Sequence, residues 1–205
     1  MNVSETQRIV LASKNKGKIR ELNALLEGMG IELLSLDDFP DPPDIEEDGT
    51  SFFENSLKKA RAVSEYTGMT VIADDSGLEV DALGGAPGIH SARYSGIGAT
   101  DEKNIAKLLA EMQSVPDGNR GASFRCALVL YGTNGEYETF EGELRGIISR
   151  KPSGSKGFGY DPIFIVPEYG MTVAELDPAT KNKISHRGKA FARLKESLKK
   201  RTLCQ

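Results

Sequence analysis

Ser13-Lys14-Asn15-Lys16-Gly17-Lys18 gathers a hydroxyl, an amide, a glycine and three lysines between an apolar run and a helical pattern. A strand-to-helix turn of this kind presents backbone N–H groups and the positive end of a helix dipole, which favour a phosphate group. The same residues also suit a polar turn that caps a helix. The spacing is not GxxxxGK followed by Ser or Thr, so a P-loop nucleotide triphosphatase is unsupported. Asp74-Asp75 closes another apolar run with two hard oxygen ligands, and successive side chains of an extended chain point to opposite faces. A carboxylate from the acidic segment, Glu46 or Glu47, would complete a site for Mg2+ or Mn2+, since Mg2+ takes one or two carboxylates plus substrate phosphates and water. Zinc is not expected, because no His and Cys stand at ligand spacing.

The two histidines are His90 and His186. His186 lies in Lys181-Asn182-Lys183-Ile184-Ser185-His186-Arg187-Gly188-Lys189, a run dense in donors for a phosphate or a base edge. A basic helix start is electrostatically unfavourable unless an anion is present, which points to a ligand. Phe158-Gly159-Tyr160-Asp161 combines aromatic faces, a glycine and a carboxylate, which suits stacking on a purine; it also reads as a Gly-rich turn entering a strand.

The elements that position these groups follow from periodicity and turn chemistry. Arg8 to Ser13 reads as a short buried strand, and Ile19, Leu22, Leu25, Leu26 and Met29 recur at helical spacing until Gly28 and Gly30. Ile31 to Leu34 is a second strand, and the segment from Leu36 to Thr50, with Pro40, Pro42 and Pro43, is an extended loop. Ser51 and Glu54 form a capping-box pattern ahead of a helix whose buried stripe is Phe53, Leu57, Ala60 and Val63. Met69 to Ala73 is a strand ending at Asp74-Asp75-Ser76-Gly77, and Leu83 to Gly98 is too rich in glycine for an element. Thr100 caps a helix through Met112. Phe124 to Tyr131 and Glu136 to Glu141 flank a hairpin turn, Leu144 to Ser149 is a further strand, and Ile163 to Val166 returns to the sheet after the loop from Lys151 to Tyr160. A last amphipathic helix runs from about His186 to Lys200. The sum is an α/β fold on a mixed sheet, a single domain over residues 1–205, with ligands at strand ends.

Composition narrows the classes. The chain has 205 residues, 39% hydrophobic and 27% charged, with a net charge of -4, which excludes disorder and fibre. Its apolar runs fall short of the ~20 residues that span a bilayer, and the polar start lacks a secretory layout, so the expected place is the cytoplasm, with no membrane partner. Cys126 in a strand-like run and Cys204 at the tail read as reduced thiols. Eight acids and no Lys or Arg lie between Asp37 and Glu54, whereas Lys181 to Gln205 carries nine basic residues against one acid. An acidic chain with an acidic loop is a poor match to a polyanion, so no nucleic acid is expected as a partner. A nucleotide-binding regulator without catalysis would not need the paired carboxylates.

Five blocks, Ser13 to Lys18, Phe53-Glu54-Asn55 with Lys59-Ala60, Ala73-Asp74-Asp75-Ser76-Gly77-Leu78 through Ser91-Ala92-Arg93-Tyr94, Gly157-Phe158-Gly159-Tyr160-Asp161-Pro162, and Ile184-Ser185-His186-Arg187-Gly188, together resemble one family. It is the inosine triphosphate pyrophosphatase family, whose members act on non-standard purine nucleoside triphosphates and are also called XTP/dITP diphosphatases. The blocks occur in order over almost the whole chain. The resemblance implies an elongated, two-lobed α/β subunit with an active-site cleft between the lobes, a homodimer, and use of Mg2+. It implies hydrolysis of ITP, dITP and XTP to the monophosphate and pyrophosphate, which cleanses the nucleotide pool.

Carried over by position, the resemblance places Ser13, Lys14, Asn15, Lys16, Gly17 and Lys18 in a phosphate-binding loop. Glu47 matches an acidic metal position, Lys59 a helix lysine, and Asp75 a metal-bound general base. Ser76, Phe158, Gly159, Tyr160, Asp161, Lys181, His186 and Arg187 match substrate-contacting positions. Three departures are mild: Ser13 stands where many relatives have Thr, Asp48 where others often have Thr, and Ser56 where Ala is common.

Overall fold

The computed structural model describes residues 7–203, in which five α-helices and seven strands are laid out, with short 3-10 turns between them. Gln7–Leu11 forms β1, Lys16–Leu26 α1 and Ile31–Ser35 β2. Phe52–Thr67 is α2, Val71–Val80 β3 and Asp101–Glu111 α3. Gly121–Tyr131 is β4, Tyr137–Ile148 β5, Phe164–Val166 β6 and Met171–Thr172 β7. Pro178–Ile184 is α4 and His186–Leu203 α5. The strands are ordered β2-β1-β3-β4-β5-β6-β7 in one sheet. β1 runs parallel to β2 and β3, with Ile9 opposite Leu33 and Val10 opposite Val71, whereas β5–β6 and β6–β7 are antiparallel. The expected α/β fold on a mixed sheet is therefore observed.

The chain divides into two compact units. The first takes the chain up to Asp75, Ala127–Glu141 and the chain from Ala190 onward; the second takes Ser76–Cys126 and Gly142–Lys189. Each has its own core. Val10, Ala12, Ala60, Val63, Val71, Ala73 and Val129 form one in the first unit. In the second, Leu78, Val80 and Phe124 pack with Leu108 of α3, with Met112 just beyond its end, and with Ile163 and Phe164.

Local chemistry explains most boundaries. Asn15 caps α1, its Oδ1 accepting the N–H groups of Gly17 and Lys18 at 2.8 and 3.1 Å. Ser51 Oγ accepts the Glu54 N–H at 3.1 Å as the capping pattern requires. The reciprocal half is shifted by one residue, because Glu54 Oε2 accepts from the N–H and hydroxyl of Thr50 instead of from Ser51. Gly68 closes α2 in the left-handed conformation, as a residue without Cβ can.

Four elements, β3, β5, β7 and α4, differ from the sequence reading. The third strand does not stop at Asp74-Asp75-Ser76-Gly77; β3 continues to Val80, since Leu78 and Val80 return the chain to a buried register. The two short strands expected on either side of Gly142 are one, β5, in which buried and exposed residues alternate through the glycines. Gly146 is required there because a side chain would run into the Phe164 ring. β7 and α4 were not expected: β7 is two residues long, and α4 is announced by Asp177, whose Oδ1 accepts the Thr180 N–H at 2.9 Å. Cys126 is buried, while Cys204 lies outside the described residues. Among the described residues no helix is long and apolar enough to cross a membrane.

Candidate active site

In the first unit, charge converges at the point where β3 meets α2. Asp74 and Asp75 are both buried, and strand alternation sends them to different partners. Asp74 Oδ1 accepts from Lys18 Nζ at 3.2 Å, and its backbone oxygen accepts from Lys18 and Lys59 at 3.1 and 2.9 Å. Asp75 Oδ1 faces Lys59 Nζ at 3.4 Å and its Oδ2 accepts from Asn55 Nδ2 at 3.2 Å. Lys59 also donates to Glu47 Oε1 at 2.6 Å, so one buried ammonium touches both Glu47 and Asp75.

The acidic segment is held against α2 along its length. Leu36, Phe39 and Ile45 pack on the first unit's core, and the Tyr66 hydroxyl donates to the Pro40 carbonyl. Asp48 pairs with Lys58 and Glu47 with Lys59, each at 2.6 Å, so consecutive loop residues meet consecutive helix residues. Glu46 points the other way and is exposed. Of the tandem pair it is Glu47 that shares a cation with Asp75.

These contacts set the protonation states. Burial alone would push the Lys59 ammonium down, but Asp75, Glu47 and Asp74 outweigh it and hold its pKa above the usual lysine value. Burial raises the Asp75 carboxyl above the usual carboxylate value despite the opposing charges of Lys59 and Lys18. A carboxylate moved toward neutral pH inside a lysine-compensated cluster is equipped to accept a proton from water.

At the start of α1, Ser13 Oγ accepts the Asn15 N–H at 3.1 Å, and Lys14 and Lys16 are exposed while Gly17 is buried. No acid stands in the first turn of α1, so the positive end of its dipole, beside Lys16 and Lys18, is favourable to an anion.

The second unit gathers a different set. Asp161 Oδ2 accepts from Lys181 Nζ at 2.6 Å and from the Phe158 N–H at 3.0 Å. Its carboxylate leaves no room for a side chain at Gly157, which adopts a left-handed backbone. Above the Phe158 ring sit two cations, Lys181 Nζ at 4.9 Å from the centroid and the Arg187 guanidinium at 5.6 Å. Arg187 is buried and its Nη2 reaches Ser76 Oγ at 3.4 Å. His186 stacks on Phe124 with centroids 4.9 Å apart. The Gly159 N–H is received by Asp101 Oδ2 at 2.6 Å. Tyr160 places its ring in the core and donates its hydroxyl to the Ser91 carbonyl at 2.9 Å, and burial raises its pKa.

This cluster depends on the junction of α4 and α5. Ser185 Oγ accepts the Gly188 N–H at 3.0 Å, and a Cβ at Gly188 would collide with the Asn182 carbonyl oxygen. Gly188 thus lets α5 start against α4, and that start carries His186 and Arg187.

The structure brings together Lys18, Glu47, Lys59 and Asp75 in one unit, and Ser76, Phe158, Asp161, Lys181 and Arg187 in the other. Asp75 and Ser76 are consecutive residues of β3. One residue of the first cluster escaped the sequence reading of the site, Asn55; Asp74, offered there with Asp75 as an oxygen ligand, pairs with Lys18. The signal for Asn55 was its place one turn before Lys59 on α2, the i, i+4 spacing that puts both on one face.

The family model described as the Ham1 family matches residues 9–197. The chain belongs to the Ham1 family. A Geobacter sulfurreducens relative named dITP/XTP pyrophosphatase is 56% identical over 191 residues, 93% of this chain and 96% of the relative. A Geobacillus kaustophilus protein of the same name is 52% identical over 190 residues, 93% of each chain. The solved HAM1 protein from Coxiella burnetii superposes with a TM-score of 0.86 at 44% identity, covering 95% of this chain and 99% of that one. The resemblance carried by the five sequence blocks is borne out, and as a Ham1-family chain the protein shares its α/β fold with these solved relatives.

Proposed function

We propose that the protein hydrolyses the non-standard purine nucleoside triphosphates ITP, dITP and XTP to the nucleoside monophosphate and pyrophosphate. The relatives' shared name, over nine-tenths of the chain, supports the substrate class. The observation that carries the chemistry is Asp75, a buried carboxylate raised toward neutral pH and contacted by Lys59 and Asn55.

The donor set fits Mg2+. Glu47 and Asp75 are hard oxygen donors that already share one cation, the Lys59 ammonium. Among the described residues no three His, Cys, Asp or Glu gather into a metal-holding group. Two carboxylates completed by substrate phosphates and water suit Mg2+, or Mn2+, and not a closed zinc site. When bound, the ion offsets polyphosphate charge and polarises the α-phosphoryl group.

The chain's own groups do the rest. Asp75 accepts the proton of the attacking water, and Lys18 and Lys59 compensate the phosphate charge. The loop from Ser13 to Lys18 offers its cations and the N-terminus of α1 to the phosphates, with Lys181 as a further cation. Phe158 offers a face for a base, and Arg187 and His186 donate to the carbonyl at position 6 of inosine and xanthosine. Adenine presents an amino donor there, so donor would meet donor, and a site built on such bonds can reject the mismatch by ~10⁴-fold or more. A cytoplasmic homodimer that cleanses the nucleotide pool completes the proposal.

The test is a panel of ITP, dITP, XTP, ATP and GTP with Mg2+, scored for pyrophosphate and for orthophosphate. Pyrophosphate from the first three and little from ATP supports the reading, with turnover stopping when Mg2+ is chelated. Orthophosphate as the product, or equal use of ATP, overturns it.

A further inference from the structure

Asn55 is fully buried on α2, and its uncharged side chain links the acidic segment to the Asp75 carboxylate. Its Oδ1 accepts the Gly49 N–H at 2.8 Å, and its Nδ2 donates to Asp75 Oδ2 at 3.2 Å. Only one orientation of the amide satisfies both neighbours: flipped, it would set donor against the Gly49 N–H and acceptor against a carboxylate. Gly49 lies two residues after Glu47, so a single amide ties the segment bearing one candidate carboxylate to the strand bearing the other. The approach is close. A Cβ at Gly49 would stand 2.7 Å from Asn55 Oδ1 and 2.9 Å from Glu54 Cβ, and this explains the glycine at a backbone position that does not otherwise demand one.

We propose that Asn55 is a positioning residue for hydrolysis. It fixes the plane of the Asp75 carboxylate by holding Oδ2, while Lys59, one turn further along the same helix, faces Oδ1 at 3.4 Å. Without that bond the carboxylate is free to rotate toward Lys59. The proposal rests on the reading of Asp75 as the base. It goes beyond that reading in assigning the base's orientation to a neutral amide on α2. Misplacing a reacting group by about 1 Å can lower the rate by ~10²-fold with little change in ground-state binding.

The experiment compares wild type with Asn55→Ala, Asn55→Asp and Gly49→Ala, using ITP and Mg2+. Asn55→Ala is expected to lower kcat by ~10–100-fold while KM changes less than about threefold. Asn55→Asp keeps the acceptor for Gly49 but faces Asp75 with a second carboxylate, so its kcat falls at least as far. Gly49→Ala, which presses on Oδ1, changes kcat in the same direction by a smaller factor. A readout without turnover accompanies these: in the nucleotide-free wild type the Asn55 side-chain amide protons exchange slowly by NMR, and their signals move in Asp75→Asn. A folded Asn55→Ala with wild-type kcat, a rise in KM alone, or a freely exchanging amide overturns the assignment. If Asn55→Ala fails to fold, the near-isosteric Asn55→Asp and the amide signals decide. If wild type releases no pyrophosphate from ITP, the functional reading fails, and the amide exchange still reports on the tether by itself.

Discussion

The two clusters are built from different chemistry. Around Asp75, three carboxylates, Glu47, Asp74 and Asp75, face two lysines, Lys18 and Lys59. Around Phe158, two cations, Lys181 and Arg187, stand over the aromatic ring, Asp161 pairs with Lys181, Asp101 receives the Gly159 N–H, and Phe124 stacks on His186. The first gathers carboxylates about a buried ammonium, which suits a divalent cation and a proton acceptor. The second sets cations and donors against aromatic faces, which suits a planar base bearing carbonyl groups. Net charge of the chain predicts neither; the local arrangement of acids, cations and rings in each unit does.

That contrast breaks most completely at Asp75. Asp75→Asn keeps the shape and removes the base, so kcat should fall by ~10²–10⁴-fold while nucleotide still binds, as measured by steady-state kinetics and calorimetry. Near-normal turnover would move the base elsewhere. Next is Lys59, which holds the Asp75 value down against burial. The ionised carboxylate is the acceptor, so turnover falls as pH drops through its value. Removing the opposing cation in Lys59→Met should move that acid limb to higher pH in a kcat–pH profile, as well as lowering kcat. Stability carries the matching sign. Because the folded value lies above the unfolded one, Asp75 costs the nucleotide-free protein stability as pH rises through it, and Asp75→Asn should lose that slope in denaturant titrations.

The second cluster should respond in binding. Phe158→Ala removes a stacking face worth ~1–3 kcal/mol per base, so KM should rise by roughly 5–100-fold with kcat little changed. An equal fall in kcat would place Phe158 with the chemistry. The smallest effect is expected at Ser56, whose buried Oγ has no hydrogen-bond partner among the described residues. Ser56→Ala should leave stability unchanged or raise it by about 1 kcal/mol in urea unfolding, with turnover unaffected.

Much of this was legible in the chain. Asn15 and Ser51 announced their helices because capping is decided within three or four residues. The Gly-rich segment around Phe158 and the basic run at His186 stood out because each contradicted its local element, one by aromatic faces in a turn, the other by cations at a helix start. Asp74-Asp75-Ser76-Gly77 misled, since acids, Ser and Gly are turn formers, and only the buried Leu78 and Val80 beyond them reveal that the strand continues. Glu46 and Glu47 could not be ranked by type. The segment's packing through Ile45 sets which of them turns toward α2. Asn55 was missed as a site residue because its only mark is the i, i+4 place before Lys59, while both its partners lie outside α2, one of them 20 residues away.

The central claim is attack by water on the α-phosphorus, with Asp75 as acceptor of the proton. It is tested most directly by hydrolysing ITP with Mg2+ in 18O-labelled water and weighing both products by mass spectrometry. The label is predicted in the nucleoside monophosphate, with unlabelled pyrophosphate and with the labelled product lost in Asp75→Asn. Label in the pyrophosphate, or in orthophosphate released from the terminal position, would contradict the account.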